Sequence, residues 1–407
     1  MKVLLITTTY PTPARPQQGA FNRVLVDAMR TRHDVRVIAP IPWIQSVSGT
    51  VSGRGCASTL HPTYYYPPKL LRAHYHSFYW HSIYSSLKRL EQEFIPDVVM
   101  GYWLHPDGAA AIRAAKRYRV PSIVMSGGTD LRLLPQHKRR RLAIKQVLKN
   151  ADRLIVFSRE LARQSYRLGI TPRDVDVVSR GVDRQCFQPV DKAESRSACG
   201  LPRDCVIIFW AGRFCNVKNP EMLLHAAVRW KRHWGDRLRV ILAGTGPLRN
   251  QLRRLGRKLH LESALLFAGN LTHCELALRY NAADVTVLTS RSEGIPNVLL
   301  ESIACGTPFV ATDVGGVAEI AAPGIDRLVP AGDLNALADA VIEQMRTAPT
   351  GRRAFIPTDL GGMADQFDVA IARAAGNPSV PAPQATGGLN RALHIPTFHQ
   401  DFQEPAR

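Results

Sequence analysis

Short apolar runs rich in Val and Ile recur along the first part of the chain at 3–6, 35–38, 98–100, 122–125 and 154–157, with longer helix-like stretches between them. Strands that are apolar throughout, rather than alternating, are buried on both faces, so this rhythm predicts a parallel sheet covered by helices on each side. The rhythm then restarts. A second series at 205–211, 239–243, 265–267, 285–288 and 309–311 predicts another sheet of the same kind. We therefore expect two doubly wound α/β domains, at 1–185 and 186–350. The linker between them runs from Gly181, Val182 and Asp183 to Lys192, where Pro189 interrupts regular structure. Residues 351–375 contain one further helical stretch, weakened by Gly361 and Gly362. Residues 376–407, rich in Pro, Gly, Gln and Asn, read as a disordered tail.

Length and composition agree with this layout. A chain of 407 residues is long for one core, and at 45% hydrophobic and 21% charged residues it has the composition of a globular protein. The N-terminal apolar run ends at Thr7, too short for a signal-peptide core, and no run is long enough to span a bilayer. The seven cysteines show no C-x-x-C pair and no clustered histidines. They suggest neither zinc nor a disulfide framework, and fit a reducing compartment. Charge alters the picture more. Of the net +20, residues 1–200 carry +17 and residues 201–300 carry +8, while residues 301–407 carry −5. Such a field attracts polyanions, whether lipid surface, nucleic acid or phosphorylated substrate.

Three features of the second half belong together chemically. Arg213 follows the strand-end pair Ala211-Gly212, with Lys218 five residues on, which places two cations where a diphosphate could be neutralised. Gly244-Thr245-Gly246-Pro247 forms a second glycine turn at a strand's C-terminal end, where open α/β sheets bind ligands. Then comes Glu293-Gly294-Ile295-Pro296-Asn297, with Glu301 two helical turns after Glu293 and Gly315-Gly316 ahead of Glu319. Pro296 suits a first helical turn, so a helix is expected to begin about one residue after Gly294 and to offer free N–H groups to phosphate or sugar oxygens.

This last stretch resembles the Glu, seven residues, Glu motif of family 4 of the retaining glycosyltransferases. The resemblance extends from residue 1 to about 345 and implies the GT-B fold, two Rossmann-like doubly wound parallel-sheet domains facing across a cleft. It implies that Glu293 contacts the donor sugar, that Glu301 holds the ribose hydroxyls, and that Arg213 and Lys218 hold the donor diphosphate. Gly244, Gly246, Gly294, Ile295, Pro296 and Asn297 complete the donor side. The co-substrate would be a nucleoside-diphosphate sugar, with no cofactor and no metal; no Asp-x-Asp pair is present to bind one. In the first half, the loop at 11–19 resembles the family's acceptor loop, and Gly19 the glycine that approaches the donor phosphate. Segments 103–108 and 126–130 resemble strand ends facing the cleft, which makes Asp130 and His105 catalytic candidates. Many members carry a histidine where this chain has Gly127.

The expected reaction is transfer of a sugar to a saccharide or lipid-linked saccharide in glycan or exopolysaccharide assembly. It would take place in the cytoplasm, peripheral to the inner membrane face. A GT-B nucleotide-sugar epimerase or phosphorylase, or an inactive polyanion-binding scaffold, are the competing readings. For membrane contact the sequence offers 69–90, apolar on one helical face with cations at its ends, and the basic stretch 138–149. The 69–90 face could equally belong to a domain core. Interleaved aromatics and cations also suit single-stranded nucleic acid, but no nucleic-acid module accompanies them and no such partner is expected.

Overall fold

The computed structural model describes residues 1–376 apart from 13, 14, 16, 17, 48–57, 69, 72 and 73. The expected tail at 376–407 thus lies, but for Gly376, outside the described residues, as do Lys69, Arg72, Cys56 and part of the 11–19 loop.

The first domain is a seven-stranded sheet in which every pair is parallel. Its first strand, Lys2–Thr7, pairs with Asp34–Ile38 on one side and with the central strand, Val98–Tyr102, on the other. Side chains leave the first strand alternately for two cores. Val3 and Leu5 pack with Leu25, Val26 and Met29 of helix Ala20–Arg30, whereas Leu4 and Ile6 pack with Tyr79, Ile83 and Leu87 of helix Tyr75–Leu90. The second domain repeats the plan with six parallel strands around Val206–Ala211, whose neighbours are Leu238–Ala243 and Val285–Leu288. Ile208 and Trp210 face one core, Ile207 and Phe209 the other. Two doubly wound parallel sheets in one chain are the GT-B fold. In each sheet the strand order reverses beside the first strand, and the loops leaving that point open onto the cleft between the domains.

The apolar face at 69–90, which suited a membrane or a domain core equally, is interior: Tyr79, Trp80, Ile83, Leu87 and Leu90 are buried in the first domain. A face this bulky removes more apolar surface from water against the sheet than it could on a lipid surface it only touches. Helix Lys138–Asn150 keeps Ile144, Val147 and Leu148 inside and leaves Lys138, Arg139, Arg141, Leu142, Lys145 and Lys149 exposed. The last helix, Leu360–Ala374, crosses back to the first domain and buries Met363, Ala364, Phe367, Ala370 and Ile371 in the core that holds Val3 and Leu5. Its two glycines sit in the first turn, where the Asp359 carboxylate accepts from the Gly362 N–H at 2.7 Å and offsets their poor helix propensity. The crossing is tight. Val182 donates to the Thr358 carbonyl at 2.9 Å, and a β-carbon on Gly181 would stand 2.7 Å from the Asp359 carbonyl oxygen.

Candidate active site

A cleft of about 1150 Å³ lies between the domains. Its first-domain wall includes Thr9, Gly19, Trp103 and Arg180; its second-domain wall includes Arg213, Gly244, Gly246, Asn297, Val298 and Glu301. The glycines are there because the backbone itself forms the surface. Gly19 has φ +75°, and a β-carbon on it would meet the Thr9 carbonyl at 2.7 Å, so the chain enters helix Ala20–Arg30 by a turn that a side chain would block. Gly244, at φ +120°, would place a β-carbon 2.1 Å from the Gly212 carbonyl oxygen, so the two strand-end turns touch through bare backbone.

Of the residues singled out from the sequence, the structure gathers Gly19, Arg213, Gly244, Gly246, Asn297 and Glu301 on this one cleft. Glu301 sits on helix Asn297–Ala304 and accepts from the Tyr280 hydroxyl at 2.9 Å. Burial raises its carboxyl group to about 7, opposed in part by that hydrogen bond. Lys218 and Glu293 do not line the cleft but meet each other: Nζ lies 2.5 Å from Oε1, the atom that also accepts from the Ser290 hydroxyl at 2.5 Å. Lys218 follows the tight turn after Arg213, and Glu293 the strand Val285–Leu288, so the two adjacent central strands bring the pair together.

The expected helix start shifts by two residues. Pro296 is extended (φ −78°, ψ 121°) and precedes helix Asn297–Ala304, with its carbonyl accepting from Leu299 at 3.1 Å. The ring leaves no N–H to lose, but the chain has to turn out of the Gly294 contact before it can coil. Gly294 packs on the other domain, where a β-carbon would come 2.8 Å from the Gly127 carbonyl, and Ile295 is partly buried beside the core under Leu299 and Leu300.

Asp130 and His105 stand apart from the cleft wall. Asp130 is buried; its carboxylate accepts from the Ser126 hydroxyl and, at 2.8 Å, from the Leu104 N–H. Burial pushes its carboxyl group upward, and its oxygens are spent pinning the 104 turn rather than facing the cleft. His105 lies in that turn with its Nε2 3.3 Å from Nδ1 of His76. Gly127 has a physical reason of its own: a β-carbon there would stand 2.8 Å from the Tyr102 hydroxyl and 3.2 Å from the Trp103 ring. Two aromatic side chains fill the space that a histidine would need.

Residues 19–185 match the profile described as Glycosyltransferase Family 4, and residues 205–347 the profile described as Glycosyl transferases group 1. The chain belongs to the family 4 glycosyltransferases. D-inositol 3-phosphate glycosyltransferase of Mycobacterium tuberculosis is 36% identical to this family member over 228 residues, covering 54% of this chain and 46% of the relative. The chain spans about half the length of the curated relatives it matches. In fold it resembles sucrose-phosphate synthase from Thermosynechococcus elongatus (TM-score 0.69, 21% identity, 92% of this chain and 97% of that one). It also resembles Anabaena HepE solved with UDP-glucose (TM-score 0.64, 17% identity, 93% and 99%).

Sequence reasoning passed over Arg132 and Arg180, and gave Glu319, noted after Gly315-Gly316, no role in this family 4 chain. Arg132 reaches across the domains to the Glu293 carbonyl at 2.6 Å. Glu319 accepts from the backbone N–H groups of Arg159 and Glu160, at 2.9 and 2.7 Å, and so caps helix Arg159–Arg167 of the opposite domain. Arg180 enters the cleft from the end of the first domain, just before the linker. Each lies within a few residues of a motif that had drawn attention, but none carries a spacing that marks it. The cysteines hold a further surprise for a chain with no C-x-x-C pair: the Cys186 and Cys274 sulfurs lie 3.0 Å apart beside Phe187 and His273.

Proposed function

We propose that this chain is a retaining glycosyltransferase that moves a hexose-type unit from a nucleoside-diphosphate sugar to a saccharide or lipid-linked saccharide acceptor, in glycan or exopolysaccharide assembly. The observation that carries the reading is the convergence, on one cleft, of bare glycine backbone from both domains with Arg213 and Glu301. Its volume of about 1150 Å³ has room for a ligand the size of a nucleotide sugar. In this reading the bond between the anomeric carbon and the diphosphate breaks and a new bond to an acceptor hydroxyl forms on the same face. Arg213 and Lys218 then meet the charge growing on the departing diphosphate, work that a divalent cation would otherwise do. Among the described residues no group of three or more His, Cys, Asp or Glu is placed to hold a metal. Glu301 would take the ribose hydroxyls, and Glu293, held by Lys218 and Ser290, the donor sugar. HepE was solved with UDP-glucose, and the mycobacterial relative is named for a phosphorylated acceptor; both support this choice of substrates.

We further propose that the enzyme works in the cytoplasm against an anionic membrane face through helix Lys138–Asn150, with no nucleic-acid partner. Among the described residues no helix is long and apolar enough to cross a membrane.

Glu293→Gln tests the main reading, because it keeps the shape and removes the charge. We expect transfer to fall by about a hundredfold or more, measured as nucleoside diphosphate release, with the melting temperature unchanged. Near-normal turnover would refute the assignment. Conversion of donor with no acceptor present would point to an epimerase instead.

A further inference from the structure

Most of the well-buried arginines of this protein are paired with carboxylates: Arg153 and Arg373 with Asp176, Arg196 with Asp284, and Arg353 with Asp326. Two of the three arginines that line the cleft differ. Neither Arg180 nor Arg213 has a carboxylate within ion-pair distance among the described residues, and both line the cleft, one from each domain.

Arg180 is nonetheless held firmly. Its guanidinium carbon lies 4.0 Å from the ring centre of Phe157 and 5.3 Å from that of Phe21, and Nη2 donates to the Tyr102 hydroxyl at 2.7 Å. Tyr102 in turn packs edge-on against Trp103 at 5.2 Å, and the Trp103 indole N–H donates to Thr9 at 2.9 Å. Aromatic faces fix a guanidinium in place without cancelling its charge. A single hydrogen bond to a phenol uses one of five donors and leaves the planar fork free for an oxyanion. The same Tyr102 hydroxyl and Trp103 ring fill the space beside Gly127, so the missing side chain at 127 and the cation at 180 belong to one local design.

We propose that Arg180 receives a phosphate group on the acceptor. This rests on the glycosyltransferase reading above, in which Arg213 and Lys218 serve the donor diphosphate from the second domain. An uncompensated cation on the first-domain wall of a cleft that Thr9 and Gln18 also line then faces the acceptor. A bidentate guanidinium is matched to phosphate geometry. The phosphate could belong to a soluble sugar phosphate or to a lipid-linked diphosphate, and the test separates them.

The test is binding by calorimetry with the donor site filled by UDP, or by whichever nucleoside diphosphate stabilises the protein. The probes are glucose 6-phosphate, farnesyl diphosphate in detergent micelles, and glucose. The expected result is that one phosphorylated probe binds and glucose does not. Arg180→Gln should weaken that binding by about ten- to a hundredfold, as loss of a charged hydrogen-bond donor does, while the nucleotide binds as before. Arg180→Lys keeps charge but not the fork and should fall between. Unchanged nucleotide binding also shows that the variants fold. Equal probe binding by wild type and Arg180→Gln, or no phosphorylated probe bound by a protein that binds nucleotide, overturns the assignment of Arg180 alone. Failure of every nucleoside diphosphate to bind overturns the donor reading and this proposal with it.

Discussion

Glu301 shows how one residue can tie pH to ligand binding. Burial raises its carboxyl group to about 7 from an ordinary value of 4.5, so the folded protein holds a proton there that the unfolded chain has already released. The sign follows: this group's contribution to stability falls as pH rises between those two values. Ribose hydroxyls that donate to the carboxylate would favour the charged form and release the proton. Nucleoside diphosphate affinity should therefore rise from pH 6 to pH 8 with proton release near neutrality, measured by calorimetry in buffers of different ionisation enthalpy. Glu301→Gln should flatten that dependence; an unchanged slope would remove Glu301 from the nucleotide site. Gly127 makes a second residue-scale prediction. Gly127→His drives a side chain against the Tyr102 hydroxyl and the Trp103 ring, and overpacking of this kind costs roughly 1–3 kcal/mol. Denaturant melts should show that loss, and Tyr102→Phe in the same chain, which removes the hydroxyl nearest the new side chain, should recover part of it. A loss of similar size with no recovery would place the conflict elsewhere.

Among the elements, the helices show where the sequence was readable and where it was not. Strands such as Lys2–Thr7 and Val206–Ala211 announce themselves because burial on both faces leaves only apolar residues. Strands as short as Thr59–Leu60, Val175–Val177 and Arg327–Val329 escape, since two or three residues carry no period. Helix Tyr75–Leu90 was ambiguous for a different reason: an apolar stripe looks the same whether it meets lipid or a sheet, and only the packing of Tyr79 and Ile83 against Leu4 and Ile6 decides. Helix Lys138–Asn150 gives the element-scale prediction. Each exposed cation near an anionic surface is worth about 1 kcal/mol, so Lys138→Glu, Arg141→Glu and Lys145→Glu together should weaken partition onto phosphatidylglycerol vesicles by about a hundredfold or more. Sedimentation with the vesicles measures this, and equal partition of the two proteins would rule this helix out as the contact.

At the scale of the whole molecule, two parallel sheets are joined three times over: by the linker at Val182, by helix Leu360–Ala374, and across the cleft by Arg132 and Glu319. The second-domain wall of the cleft was legible because its residues are local in sequence, with glycine turns at strand ends and Glu301 on the helix that follows the Gly294 segment. The first-domain wall was not, because it is assembled from distant segments: Arg180 from just before the linker, Tyr102 from the Val98–Tyr102 strand, Phe21 from the first helix. Asp130 matched the spacing of a cleft residue and is buried off the cleft wall. Spacing places a residue near a loop, but only the fold says which way its side chain turns. The central claim is that the cleft holds a nucleotide sugar with Arg213 on its wall, and that the Lys218–Glu293 pair, off that wall, takes part in the transfer. A panel of nucleoside-diphosphate sugars, followed by mass spectrometry with the native protein and with Lys218→Ala, tests it most directly. The account predicts that one donor is consumed with release of its nucleoside diphosphate, and that Lys218→Ala abolishes this. Turnover that survives the loss of Lys218, or saturable binding of none of the panel, would contradict it.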